Sequence, residues 1–240
     1  MRGAPLPALL LALAAAACAG PPRTVEGQRE ESLGAVEGHE RSLAERHGSR
    51  FVVVQRGQVV AAASLADDAV RAAERRAPPW EHRFVFRPGD EGPRLHRLAF
   101  LPEGGVVAGR GFFEDLGVAV SWRAGQPLVL DRLGRRREVD LLATPRLEIV
   151  LRTLDRERSV TLEAAVDPDF DGPLLLPPEL ARTLELHRFE IPGHAEVQVA
   201  LGRPFAARRA HVLAELPLLG QRGPVEVVYE TAPPAPPASR

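Results

Sequence analysis

Apolar residues in this chain alternate with polar ones or gather in short β-branched blocks, and they recur at helical spacing in only two places. "RFVVVQRGQVVAAA", residues 50–63, holds two apolar runs around Gln55-Arg56-Gly57-Gln58, the pattern of a hairpin. "HRFVFR", "RLHRLAFL" and "GVVAGRG" read as further strands, followed by a helical turn at Phe112 to Leu116, and "VAVSW" with "QPLVLD" as a hairpin around Ala124-Gly125. "LEIVLRTLDRERSVTLEAAVD" predicts two strands around a turn at 155–158, and "AEVQVALG", "RRAHVLAEL" and "PVEVVYE" continue the strand pattern toward the C-terminus. The helical stretches are "SLADDAVRAAERRAPP", where Ser64 and Asp67 have capping-box spacing and Pro78 ends the run, and "PPELARTLEL", with Pro178 at a first helical position. The expected class is therefore all-β with short helices.

Both halves run in the same order: hairpin, acidic turn, short helix, strands, a glycine after small or apolar residues, and a closing strand. That order suggests two diverged β lobes, residues 50–140 and 145–231. Residues 18–49, charged and thin in large apolar side chains, read as a flexible tether with at most transient helix, and residues 232–240 as a disordered Pro/Ala tail.

The N-terminus sets the expected compartment. Met1-Arg2 followed by the apolar run Leu9 to Ala17 has the form of a secretory signal and is too short to span a bilayer. The single cysteine, Cys18, follows Ala15-Ala16-Ala17 as the modified residue follows a bacterial lipobox, so residues 1–17 read as a lipoprotein signal peptide and Cys18 as the lipidation site. Ala19 in the next position makes the periplasmic side of the outer membrane the expected address. No thiol would then be left for a disulfide, and the fold must rest on its core. Removal of residues 1–17 takes Arg2 from the 31 basic residues and nothing from the 32 acidic ones, a balance with no field to gather nucleic acid. The seven histidines lack zinc-ligand spacing, and no motif calls for a cofactor.

The candidate chemistry lies in "VDPDFDGPLLLPPELA", residues 166–181. Asp167, Asp169, Asp171 and Gly172 match the opening of an EF-hand loop, but its twelfth position, where a bidentate carboxylate belongs, is Pro178, and the incoming segment alternates as a strand does. A looser calcium site on the three aspartates is the weaker alternative, beside an ordinary solvated turn. The segment "VTLEAAVDPDFDGPLLLPPELARTLEL" resembles the active-site region of the retropepsin-like aspartic proteases, in which a hairpin strand delivers an Asp-Thr-Gly turn followed by an apolar strand, Leu-Pro and a short helix. "AELPLLG" is similar to that family's second motif, an apolar-apolar-Gly strand crossing behind the turn.

The resemblance covers residues 146–230 and implies an acid-protease barrel, or two such lobes, with Asp167 in the catalytic position, Pro168, Asp169 and Gly172 in the active-site turn, and Leu218, Leu219 and Gly220 in the second motif. "VVAGRGFFEDLGVAVSW" also resembles the end of such a unit, placed here in the first half. Aspartic proteases hold two carboxylates that share one proton. Pro168 brings neither the hydroxyl nor the N–H of the Thr it replaces, Asp169 adds a third carboxylate where Gly belongs, and Ala66-Asp67-Asp68 would have to supply the partner turn. The expected function is a lipid-anchored envelope protein with this fold, weakly active or noncatalytic, binding extended peptide or protein in its cleft. The alternatives are a β module for envelope assembly and an active peptidase using Asp167; the pattern sets no oligomeric state.

Overall fold

The computed structural model describes residues 24–90, 94–98, 102, 105–121, 128–139, 145–199 and 204–230. Cys18, the tail 232–240 and the expected turn at Ala124-Gly125 lie outside them. The chain is mostly β, with few short helices and a closed six-stranded barrel. The barrel strands are β9 (Arg146–Arg152), β10 (Ser159–Val166), β5 (Val107–Ala108), β11 (Leu174–Leu176), β14 (Gln221–Glu230) and β13 (Phe205–Leu216), and β13 pairs with β9 to close the ring. Period-two alternation fills it: Leu147, Ile149 and Leu151 from β9, Ala210, Val212, Ala214 and Leu216 from β13, and Val225, Val227 and Tyr229 from β14 share one buried cluster. A separate sheet of β6 (Ala119–Ser121), β7 (Leu128–Arg132) and β8 (Arg135–Val139) adds Leu128 and Leu130 to that core.

The sheet does not stop at the barrel. From β13 it continues through β12 (Glu190–Val199) to β3 (Phe84–Phe86) and the hairpin of β1 (Phe51–Gln55) and β2 (Gln58–Ala63), while β4 (Arg94–Leu98) pairs with the far half of β12. Helix α3 (Ala66–Glu74) lays Ala66, Ala69, Val70 and Ala73 on Phe51, Val53 and Val85, a small-residue stripe that lets it sit close to the strands. Its N-cap is Leu65 and no side chain caps it, so Ser64 does not play the expected part. The expected pair of lobes is also replaced: β5, from the first half, pairs with β10 and β11 of the second, and β3 and β4 pair with β12. One continuous sheet serves both halves.

The expected tether is folded from Thr24 onward. Helices α1 (Val25–Gly34) and α2 (Glu40–His47) and the turn between them bury Ser32, and place Val36 and Leu43 in one cluster with β1 and β3. Ionic contact adds to this small apolar area. Glu190, fully buried at the start of β12, accepts from Arg29 Nε of α1 at 3.0 Å, Arg208 Nη1 of β13 at 3.3 Å and Tyr229 Oη of β14 at 2.6 Å, and its Oε2 lies 3.2 Å from His82 Nε2. Burial alone would raise this carboxyl's pKa, yet the His82 hydrogen bond, the charges of His82 and Arg208 and the Tyr229 hydroxyl together hold it at about 2.

The outer face of β13 is covered by the β1 layer, which encloses two further polar groups. Arg209 forms a bidentate pair with Glu226, Nε to Oε1 at 2.7 Å and Nη2 to Oε2 at 2.9 Å. His211 meets the edge of Phe51 with ring centroids 5.3 Å apart, and neither of its ring nitrogens has a hydrogen-bond partner among the described residues. Burial pushes its pKa down to about 4 against opposing pulls from Glu226, Asp90 and the Val225 backbone, with the Arg209 charge adding to the lowering. The unfolded chain therefore takes up this proton at higher pH than the native one, and stability falls as pH drops from 6.5 toward 4, by about 3 kcal/mol when complete. Asp115, held up at about 6 mainly by burial, opposes this by binding its proton first in the native state. Urea unfolding at neutral and mildly acid pH should show His211→Leu losing distinctly less stability across this window than the natural chain. An equal loss in both would assign the acid sensitivity to another group.

Candidate functional site

Strand β10 ends at Val166 and delivers Asp167 into a tight turn. Oδ1 of Asp167 accepts from the backbone N–H groups of Asp169 at 3.0 Å and Phe170 at 3.3 Å, an Asx arrangement in which the carboxylate organises its own loop. The Phe170 N–H also reaches Asp167 O at 3.1 Å, and the Phe170 ring is completely buried beneath the turn. Asp167 itself is 5 % exposed, and its Oδ2 is buried with no hydrogen-bond partner among the described residues.

A strand crosses behind this turn. Strand β5 runs between β10, to which it is parallel, and β11, to which it is antiparallel, and β11 pairs in turn with Val227, Val228 and Tyr229 of β14. The Asp167 N–H donates to Ala108 O at 3.1 Å, Gly109 N–H to Pro173 O at 2.8 Å, Arg110 N–H to Phe170 O at 2.8 Å and Gly111 N–H to Gly172 O at 3.1 Å. Helix α4 (Arg110–Asp115) starts directly from this crossing, and helix α5 (Pro178–Thr183) follows β11 with Pro178 in its first turn. Gly109 is required by proximity: a Cβ there would fall within contact of the Gly172 carbonyl and the Phe170 ring. Gly172 is packed against the same ring.

The crossing is thus made by Val107 to Gly111 and not by Leu218, Leu219 and Gly220. Pro217–Leu219 form a short 3-10 turn closed by Gly220 in the left-handed region at φ 63°, Leu218 is exposed, and only Leu219 enters the core. The physical reason is pairing geometry. Residues 217–220 are the connection that lets β13 and β14 form one ladder from Leu216↔Gln221 to Ala207↔Glu230, so they cannot also be a crossing strand. The crossing strand comes earlier in the chain than the aspartate it supports, in "VVAGRG", whose small residues and glycines were the available signal.

The other acidic candidates go elsewhere. Asp67 and Asp68 lie in the first turn of α3, where Asp67 meets Arg156 at 3.1 Å and Asp68 meets Arg71 at 2.5 Å, and neither faces Asp167 through any described contact. Asp171 turns to β4, accepting from Arg97 N–H at 3.2 Å with Oδ1 3.6 Å from His96 Nδ1, and Asp169 is exposed. The three aspartates therefore spread apart, and no group of three or more ligating side chains gathers among the described residues. The looser calcium site loses its basis. Asp115, which the sequence did not single out, sits at the far end of α4 and accepts the Glu226 N–H at 2.9 Å; burial there raises its pKa to about 6.

A cleft of about 410 Å³ opens beside the turn, with Pro168 and Asp169 on one wall, Arg110 and Glu114 of α4 on another, and Val118 and Val120 forming its apolar part. Among the described residues β6 pairs with β7 alone, and its Ala119 and Val120 line this cleft. The turn thus sets one buried carboxylate near a groove whose lining is part charged, from Arg110, Glu114 and Asp169, and part apolar. No family model matches the chain, and neither a curated protein nor a solved structure matches it significantly. No described helix is long and apolar enough to cross a membrane.

Gly109→Ala should cost about 3 kcal/mol, because its Cβ would have to displace backbone at the crossing. Gly220→Ala should cost only about 1 kcal/mol despite the left-handed φ, since no heavy atom lies within 4 Å of its Cβ position. Thermal melts of the two variants would contradict the crossing if they ranked in the opposite order.

Proposed function

We propose that this is an envelope protein, anchored by an acylated Cys18 on the periplasmic side of the outer membrane, whose aspartic-protease-like barrel binds extended peptide beside the Asp167 turn without cleaving it. The observation that carries the reading is the state of Asp167. It is the one buried aspartate of its turn, with β5 packed behind it, yet Oδ1 is committed to that turn and no second carboxyl is hydrogen-bonded to it among the described residues. The proton shared between two carboxylates, on which that chemistry depends, has no second holder within these contacts. Binding is supported by the cleft at Pro168 and Asp169 and by β6, which pairs with β7 alone among the described residues, so that a peptide backbone could extend the sheet while an apolar side chain rests on Val118 and Val120.

The free Oδ2 favours one other reading. If two chains paired turn to turn and uncovered this oxygen, two Asp167 carboxyls could share a proton and give an active peptidase. The two readings separate in one experiment on the soluble form lacking residues 1–18, offered a mixed peptide library between about pH 3 and 7. Retained peptides should be recovered intact, Asp167→Asn should retain them equally, and Val120→Glu should weaken retention at least about tenfold by placing a charge on the apolar floor. Cleavage that Asp167→Asn abolishes would establish the peptidase, and absence of any retained peptide would remove the binding reading.

A further inference from the structure

Trp80 is 72 % exposed, the most exposed aromatic side chain among the described residues, yet the backbone that carries it is held rigidly. Gln55 Nε2 donates to Pro78 O at 3.0 Å, the buried guanidinium groups of Arg83 and Arg188 donate to Pro79 O at 2.5 and 2.7 Å, and Arg56 and Gln55 bind Glu81 on the other side. Buried charged side chains therefore hold a loop whose outcome is to aim a large amphipathic ring at its surroundings. Single exposed apolar side chains are common on protein surfaces, but this ring, apolar in body with one N–H donor, is presented by a loop fastened through several hydrogen bonds.

What the ring faces follows from where the chain comes from. Two residues after Trp80, the His82 N–H donates to Gln28 Oε1 at 2.9 Å, in the first turn of α1, and the β1–β2 turn at Gly57 packs on Glu31 and Ala35 farther along the same helix. Helix α1 is itself pinned to the barrel by Arg29 to Glu190 and by Glu26 to Arg208 at 2.7 Å. Only residues 19–23 separate Cys18 from Thr24, a reach of at most about 20 Å fully extended. If Cys18 carries lipid, the first turn of α1, with Val25 41 % exposed, stays within about 20 Å of the bilayer, and the Trp80 loop is joined to that turn through His82 and Gln28.

We propose that Trp80, together with the first turn of α1, is a membrane-contacting face that seats the barrel on the lipid headgroups in a fixed orientation; this rests on the lipid-anchor reading above. The charges at this end have both signs, with Glu26, Glu30 and Glu31 on α1 against Arg75 and Arg76 after α3. The contact is accordingly one of an aromatic ring entering the headgroup layer, the position tryptophan favours at membrane interfaces, and it needs no anionic lipid.

The test uses the full chain in phosphatidylcholine vesicles whose acyl chains carry bromine, with mass spectrometry to establish acylation of Cys18. The expected result is tryptophan emission quenched by the brominated chains, the quenched component absent in Trp80→Phe, and no change between about 0.1 and 1 M salt. Acylated protein whose Trp80 component stays unquenched would overturn the face while leaving the anchor standing. Were Cys18 unmodified, the anchor reading would fail on its own, and the soluble chain added to plain vesicles would decide the face: a shift of emission to shorter wavelength that Trp80→Phe removes supports it, and no shift overturns it.

Discussion

The structure depends on a carboxylate that water never reaches. Ionised Glu190 in the interior costs several kcal/mol of lost hydration, and that cost is offset only while its partners stay in place. Those partners come from α1, from the segment before β3, from β13 and from β14, so one side chain ties the N-terminal helix, the outer sheet and the barrel wall together. The pKa held at about 2 expresses the same fact: the assembled groups favour the charge more than the solvent they replaced. Loss of any one donor would leave charge buried without compensation, which makes assembly of the three parts cooperative.

The Asp167 turn is built on the opposite principle, close backbone packing with little charge. Gly109 and Gly172 leave room for the Phe170 ring, and four backbone hydrogen bonds to β5 and the start of α4 hold the loop from behind. A turn so held can present a carboxylate rigidly whether or not chemistry follows. The rigidity of the turn is therefore a property of its backbone packing and carries no mechanism by itself.

Much of this was legible in the residue pattern because strands and turns are local. The β1–β2 hairpin around Arg56-Gly57, the β9–β10 hairpin around residues 155–158 and the helix opened by Pro178 all follow from period-two alternation and turn chemistry. What was not legible is long-range. Residues 24–49 look incapable of folding because their apolar content is small, and the missing stabilisation comes from Glu190 and Arg208, far away in sequence. The resemblance to retropepsin-like proteases places the strand behind Asp167 downstream, in "PLLG"; "VVAGRG" carries the right small residues, but nothing local says that a strand precedes the aspartate it serves.

Closure of the barrel by β14 has a consequence for how the chain reaches this form. The last described strand pairs with β13 along ten positions and with β11 besides, and β5 has no settled place until β10 and β11 flank it. Three of the six ladders of the barrel, β11–β14, β13–β14 and β9–β13, therefore wait on residues made late, and such non-local topology folds slowly. The sheet becomes a closed cylinder only when this last described strand takes its place between β11 and β13.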